Sequence, residues 1–256
     1  MTVELRKVAL VTGAGKRLGK AIALALAQAG WDIVVHYHRS EAEAQQTAAA
    51  IRAGGRNAST VQCDLADEAA VRGLLDRCQS ALGPVSCIVN NASLFEYDDA
   101  TSLTTATLDA HMRTNLAAPM LLAQGLASSI AATPGNGVII NLLDQKLVNL
   151  NPDFLSYTLS KAALQTATVM LAQALAPAIR VVGVAPGITL VSGDQTPEQF
   201  EQAHAVTPLG RSSTPEDIAA AVCFAAASPA ITGTTLIVDG GQHLLPLPRD
   251  VMFIAK

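Results

Sequence analysis

The feature that most constrains this chain is a junction near its start. Residues 7–12 (KVALVT) form a short, apolar, β-rich run, the sequence TGAGKRLG follows, and residues 20–29 carry a helical pattern closed by Gly30. Strand, glycine-rich turn and helix in that order make the opening half of a βαβ unit. Gly13, Gly15 and Gly19 let the backbone approach a pyrophosphate, and the helix start offers N–H groups with no intrahelical partner. A glycine-rich turn alone says little; its position between a strand and a helix gives it weight.

The alternation continues along the chain. Strands are expected at residues 31–36, 58–62, 85–89, 137–143, 179–184 and 235–238. Helices are expected at 41–53 (stopped by Gly54-Gly55), 67–82 (Asp67 as N-cap), within 101–130 (broken near 109–113), from an Asn151-Pro152 start to about 176, near 197–204, and from a Thr214-Pro215 start to about 226. Residues 188–209 otherwise read as loop. This order implies right-handed crossovers and one α/β domain over residues 1–256, a Rossmann-type doubly wound fold of about seven parallel strands with helices on both faces. Half of the 256 residues are hydrophobic, enough for a core with two covered faces.

Charge and cysteine usage exclude several classes. The net charge is −4 and no Lys/Arg block occurs, which argues against a nucleic-acid partner. Cys63, Cys78, Cys87 and Cys223 are scattered, as in a cytoplasmic protein with reduced thiols. Glu4, Arg6 and Lys7 lead into a first strand rather than a signal peptide. No uninterrupted apolar run reaches the length of a membrane span, so no membrane partner is expected. His111 and His204 lack companions at ligand spacing, so no metal site is expected.

Two regions carry chemistry. Ligands bind doubly wound sheets at the C-terminal edge, where strand order reverses. After the second strand an NAD site usually has an acid for the ribose 2′-hydroxyl. This chain has His36-Tyr37-His38-Arg39-Ser40 instead. His38, Arg39 and Ser40, with Arg17 from the first turn, suit a 2′-phosphate, so the expected cofactor is NADP(H). Asp64 either accepts from an adenine amino group or caps a helix start. Asn90, Asn91 and Ala92 form a turn that could meet a ribose or simply be a turn. The second region runs from Asn141 to Leu164. Tyr157 and Lys161 are one helical turn apart on one face, and the ammonium is expected to lower a phenol pKa of about 10. Asp144 stands thirteen residues before Tyr157, where the apolar run ends. Gln145 and Lys146 are expected on the loop surface.

Together these residues resemble the short-chain dehydrogenase/reductase family over about the whole chain. The matches are Thr12, Gly13 and Gly19, then Asp64, Asn90 to Ala92, Asn115, Tyr157 with Lys161, Pro186-Gly187 and Asp239 to Gly241. Two departures, Arg17 for a glycine and Asp144 for the family's serine, resemble the pteridine reductase branch and its dihydromonapterin/dihydrofolate reductase neighbours. So do His36 to Ser40, and Ser93 with Phe95. Gly183 stands where the family often has Asn.

The resemblance implies an NADPH-dependent reductase of a pterin or folate-type ring, with a carbonyl or 3-oxoacyl-thioester reductase as the alternative. It implies Asp144, Tyr157, Lys161 and Asn115 as the catalytic set, with Asn115 able to hold a water if it bends its helix. Cofactor contacts would come from Gly13, Arg17, Leu18, Gly19, His36, His38, Arg39, Ser40, Asp64, Leu65, Asn91, Ala92, Ser93, Tyr157, Lys161, Pro186 and Gly187. Substrate contacts would come from Ser93, Phe95, Asp144, Tyr157 and Leu190. An ionised Asp144 would repel a carbonyl's developing oxyanion, whereas a carboxyl suits a ring rich in N–H groups. Phe95 is either a stacking platform for a flat ring or part of the core. Family members are commonly homotetramers. The apolar tail (Leu244, Leu245, Leu247, Val251, Met252, Phe253, Ile254) either makes a subunit contact or folds back on its own chain.

Overall fold

A computed structural model describes residues 7–132, 135–191, 196–205 and 207–253. Glu4, Arg6 and Ile254, and residues 192–195 and 206 of the expected loop 188–209, lie outside them. Seven strands form one all-parallel sheet: β1 (Val8–Val11), β2 (Asp32–Tyr37), β3 (Ala58–Gln62), β4 (Cys87–Asn90), β5 (Gly137–Leu142), β6 (Ile179–Pro186) and β7 (Thr235–Val238). Their spatial order is β3-β2-β1-β4-β5-β6-β7. The chain therefore reverses direction between β1 and β4, and a crevice opens at the strands' C-terminal ends there.

Side-chain alternation explains the two layers. Ala9 and Val11 of β1 and Ile33 and Val35 of β2 pack into one core, with Ile22 and Leu26 of α1 (Arg17–Gln28) and Ile218 and Val222 of α9 (Pro215–Ala227). Val8, Leu10 and Val34 point the other way. They meet Leu74 and Cys78 of α4 (Leu74–Leu82) and Leu122 and Leu126 of α6 (Ala118–Ala132). Both faces are dry, so the strands read as continuous apolar runs. Each fully buried Val, Leu or Ile contributes about 1.5–3 kcal/mol relative to exposure.

Local signals placed several elements as read. The helix α2 spans Glu41–Ala53, and Thr214 with Asp217 forms a reciprocal capping box that opens α9. Asp67 accepts from the N–H groups of Ala69 and Ala70, but Gly73 divides the expected helix into α3 (Glu68–Arg72) and α4. The helical run 105–132 comprises α5 (Thr105–Met112), a wide π-turn at Arg113–Ala117, and α6. By length and composition this run is long and apolar enough to cross a membrane, although Asp109, His111 and Arg113 interrupt it. Leu122, Ala123 and Leu126 nevertheless bury it against the sheet. A short helix α8 (Pro197–Ala205) falls where a helical piece is expected, near 197–204.

The start of the catalytic helix differs from expectation. Asn151 and Pro152 do not open it; α7 is Leu155–Leu175, preceded by Phe154 in the left-handed conformation at φ 55°. Asp98, buried in the segment after β4, supplies the missing cap. Its carboxylate accepts from the Ser156 N–H at 2.9 Å and from the Ser156 hydroxyl, and its carbonyl accepts from the Leu155 N–H. The first free N–H groups of α7 are thus satisfied by a residue distant in sequence. Gly183 also gains a packing reason: a Cβ there would fall 2.6 Å from Thr235 Oγ1 and 2.7 Å from Leu143 Cδ1.

Candidate active site

Thr12 stitches the two sides of the crevice together. Its hydroxyl accepts from the N–H groups of Asn91 and Ala92 at 2.9 and 3.0 Å, and its carbonyl accepts from the Asn91 amide at 2.8 Å. Gly19 must be glycine for packing, because a Cβ would lie 2.2 Å from the Gly13 carbonyl oxygen. The N-cap of α1, Lys16, makes no side-chain hydrogen bond to the helix start. The positive end of α1 is therefore left open for an anion, as a cofactor pyrophosphate requires.

His36 has a structural role that differs from a phosphate contact. Its Nδ1 accepts from the Gly13 N–H at 3.0 Å, so Nε2 carries the proton toward the Cys63 carbonyl at 3.1 Å. Burial pushes its pKa down to about 4, which keeps the ring neutral. His36 shapes the glycine turn, while the next residues reach the cavity. Arg39 is exposed at its rim and, among the described residues, has no ion-pair or hydrogen-bond partner. Its guanidinium is available to an incoming phosphate. His38 lies 3.6 Å from Asp64, whose other oxygen accepts from the Ala66 N–H. Arg17 lines the same cavity as Arg39, and its guanidinium donates to the Val191 carbonyl at 2.8 Å, tying the glycine turn to the loop after β6.

One cavity of about 1080 Å³ runs along the crevice. Its walls include Gly13, Arg17, Leu18, Gly19, His36, His38, Arg39, Ser40, Asp64 and Leu65 at one end. Asn91, Ala92, Ser93, Phe95, Asp144, Tyr157, Lys161, Pro186, Gly187 and Leu190 follow toward the other. The sequence-derived residues thus share one space, apart from Asn115. That residue is buried in the π-turn behind the wall. Its Oδ1 accepts from the Leu94 N–H at 2.8 Å and from the Ser93 hydroxyl at 3.3 Å, and its Nδ2 donates to the Leu94 carbonyl and to Ser160. The helix widens into a π-turn at Asn115, and its side-chain amide braces the Ser93-Leu94 loop.

The reacting end is compact. Tyr157 Oη donates to Asp144 Oδ2 at 2.8 Å, and Asp144 Oδ1 accepts from the Lys146 N–H at 2.8 Å. Lys161 Nζ donates to the Leu142 carbonyl at 2.7 Å. Burial pulls the Lys161 pKa down to about 8, against the opposing pull of Asp144. Burial also raises Asp144, against its hydrogen bonds from Lys146 and Tyr157. The expected lowering of Tyr157 by Lys161 is not found. Burial and then the Asp144 charge hold the phenol well above its ordinary value. The hydroxyl points at a carboxylate rather than an ammonium, so the neutral donor is the favoured form.

Phe95 is not part of the core. Its ring stacks on Phe154 at 4.2 Å and meets Tyr157 edge-on at 4.7 Å, yet 41% of the residue stays exposed in the cavity wall. Sequence reasoning missed the tail's contribution. Leu245, Leu247, Asp250, Val251 and Met252 line the same cavity, so the described part of the tail folds back on its own chain. Lys146 is buried in the wall, not on the loop surface. Only the apolar composition of the tail hinted at a covered position.

A glycine turn at a sheet's switch point, joined in one cavity to an Asp–Tyr–Lys set, defines a dinucleotide-dependent reductase site. The family model described as Enoyl-(Acyl carrier protein) reductase matches residues 13–243. The chain belongs to the short-chain dehydrogenase/reductase family and is an oxidoreductase. It is similar to the structure of FolM Alternative dihydrofolate reductase 1 from Brucella canis complexed with NADP. Identity is 40%, TM-score 0.87, and 93% of this chain and 95% of that one are covered. The Brucella suis protein, also in complex with NADP, gives 40% identity and TM-score 0.87, over 93% of this chain and 96% of that one. Pteridine reductase 1 of Leishmania tarentolae is 33% identical over 93% of this chain and 96% of its own length.

Proposed function

We propose that this enzyme uses NADPH to reduce a pterin or folate-type ring, taking a dihydropterin, dihydromonapterin or dihydrofolate to the tetrahydro form. The observation that carries the reading is the Asp144 carboxylate at 2.8 Å from the Tyr157 hydroxyl, where the family ordinarily has a serine. A carboxylate accepts from a 2-amino group and a ring N–H, which pterins present and simple carbonyls lack. Similarity to the Brucella and Leishmania proteins supports the same substrate class and cofactor.

In this reading Arg39, His38 and Ser40 hold the 2′-phosphate, and the start of α1 holds the pyrophosphate. Tyr157 and Lys161 hold the nicotinamide ribose. NADPH supplies the hydride to the carbon of the ring C=N. The ring nitrogen takes a proton from the Asp144–Tyr157 pair. Phe95 offers its free face to the flat ring, and Ser93 and Leu190 border it. We further propose a cytoplasmic homotetramer. Exposed apolar residues on the long helices (Met120, Leu159, Val169, Met170) support the assembly, and free cysteines support the compartment. Light scattering and cell fractionation test these two points.

The deciding assay follows NADPH oxidation with dihydrobiopterin, dihydromonapterin, dihydrofolate and, in parallel, an acetoacetyl thioester. Turnover of at least one ring substrate is expected. Oxidation with the thioester alone would overturn the substrate class.

A further inference from the structure

The turn that carries Asp144 is held by the far end of the chain. Lys146, 4% exposed, donates from Nζ to the Asp153 carbonyl at 2.6 Å and to Asp250 Oδ2 at 3.0 Å, and lies 5.3 Å from the centre of the Phe154 ring. Its own N–H is the one that holds Asp144 Oδ1. The neighbouring contact repeats the design. Arg249 grips the Asp153 carboxylate with Nε and Nη2 at 2.7–3.0 Å, and the Asp250 N–H donates to the same carboxylate at 2.7 Å. Phe253 then packs edge-on to Tyr97, at 5.4 Å between ring centres. A buried ion pair with one partner removed leaves an uncompensated charge, so Lys146 depends on Asp250.

We propose that Asp250 is a positioning residue for the proton-donating pair: by its ion pair with Lys146, the C-terminal tail holds the turn that presents Asp144 to Tyr157. This rests on reading Asp144 and Tyr157 as the proton donors, but not on which ring or carbonyl is reduced. The charged and titratable groups around Asp144 are Tyr157 and Lys161 from α7, Lys146 on its own turn, and Asp250 from the tail, with Asp153 and Arg249 behind them. Asp250 opposes ionisation of both Asp144 and Tyr157. The tail therefore does more than cover the cavity. It cancels a cation two residues from the catalytic carboxylate and keeps that carboxyl easier to protonate.

The test uses the full chain and four proteins: wild type, Asp250→Asn, Lys146→Gln and the double variant. The readout is the limb of the pH profile of kcat/KM that reports Asp144, the one absent in Asp144→Asn, on whichever substrate the wild type turns over. Asp250→Asn removes an anion and exposes the Lys146 cation, and both effects favour ionised Asp144. Its limb should move down by about one pH unit. Lys146→Gln leaves Asp250 unopposed and should move the limb up. The double variant should return toward wild type, and Asp250→Glu, added to the four as a conservative control, should restore the wild-type limb. NADPH affinity by fluorescence should stay within about twofold throughout, since neither residue reaches the phosphate end. A ¹³C NMR titration of the Asp144 carboxyl, assigned by difference from Asp144→Asn, reads the same shifts without turnover. Loss of kcat or melting temperature in all variants, with no opposite movement of the Asp144 titration, would overturn the proposal and leave the tail a packing element. A wild type that reduces only the thioester would sink the ring-substrate reading, while the four proteins still decide the role of Asp250.

Discussion

The Tyr157 hydroxyl donates to Asp144 at 2.8 Å, and the Lys161 ammonium, one turn along the same helix, donates to the Leu142 carbonyl at 2.7 Å. The phenol and the ammonium therefore do not bond to each other. Burial first, and then the Asp144 carboxyl rather than the lysine, hold the phenol in its protonated form.

Replacing Asp144 by Ala should lower kcat/KM for a dihydropterin about 10²- to 10⁴-fold, the usual range for losing a positioned proton donor. NADPH affinity should change little. Steady-state kinetics with a parallel fluorescence titration of NADPH separates the two. Equal loss in both would mean that Asp144 serves the cofactor site.

Arg39→Ala should weaken NADPH by about 10- to 100-fold, the worth of a charge-assisted hydrogen bond of about 1.5–3 kcal/mol. NADH, which lacks the 2′-phosphate, should bind as before. Equal weakening of both nucleotides would remove Arg39 from phosphate recognition.

Lys161 titrates near pH 8 in the folded chain instead of 10.5. If Lys161 holds the nicotinamide ribose as proposed, turnover should fall as pH rises through about 8, because its ammonium is lost. Stability moves the other way. Between about 8 and 10.5 the unfolded chain binds the extra proton, so this group makes the fold more stable as pH rises. Denaturant melts and pH–rate profiles over the same range should therefore diverge.

His36 works at the acidic end. Its folded pKa of about 4 lies below the unfolded 6.5, so the unfolded chain binds more protons between them. Stability should fall as pH drops from about 6.5 toward about 4, by up to about 3 kcal/mol from this group. His36→Gln should flatten that part of the profile in chemical denaturation. An unchanged slope would mean that His36 is not buried neutral.

Asp98→Ala should cost about 2–4 kcal/mol, because it strips the Ser156 N–H and hydroxyl of their partner at the start of α7. Thermal melting measures the loss. A change within experimental scatter would mean that α7 caps itself in another way.

The elements that could be read from the chain are those whose signals are local. The continuous apolar runs of β1 and β2, the extent of α2, and the Thr214 capping box each depend on residues a few positions apart. The catalytic helix was misplaced at its start because its cap comes from Asp98, and no local pattern near Asn151 reveals a carboxylate that arrives from another loop. Arg17 illustrates the same limit. Its type and position suggested the phosphate end, but its hydrogen bond to Val191 depends on how the loop after β6 lies.

By itself the sequence determined the parallel doubly wound sheet, through the alternation of strand and helix signals, while the family resemblance singled out the glycine turn and Asp144, Tyr157 and Lys161. Only the tertiary structure decided which groups neutralise one another inside the cavity. Lys146 reads as a surface lysine until Asp250 is brought to it, and Tyr157 reads as a phenol beside an ammonium until its hydroxyl is seen donating to Asp144. The reason is physical: desolvation and charge pairing depend on distances through space, and a chain that returns its last residues to its active site carries no local mark of having done so.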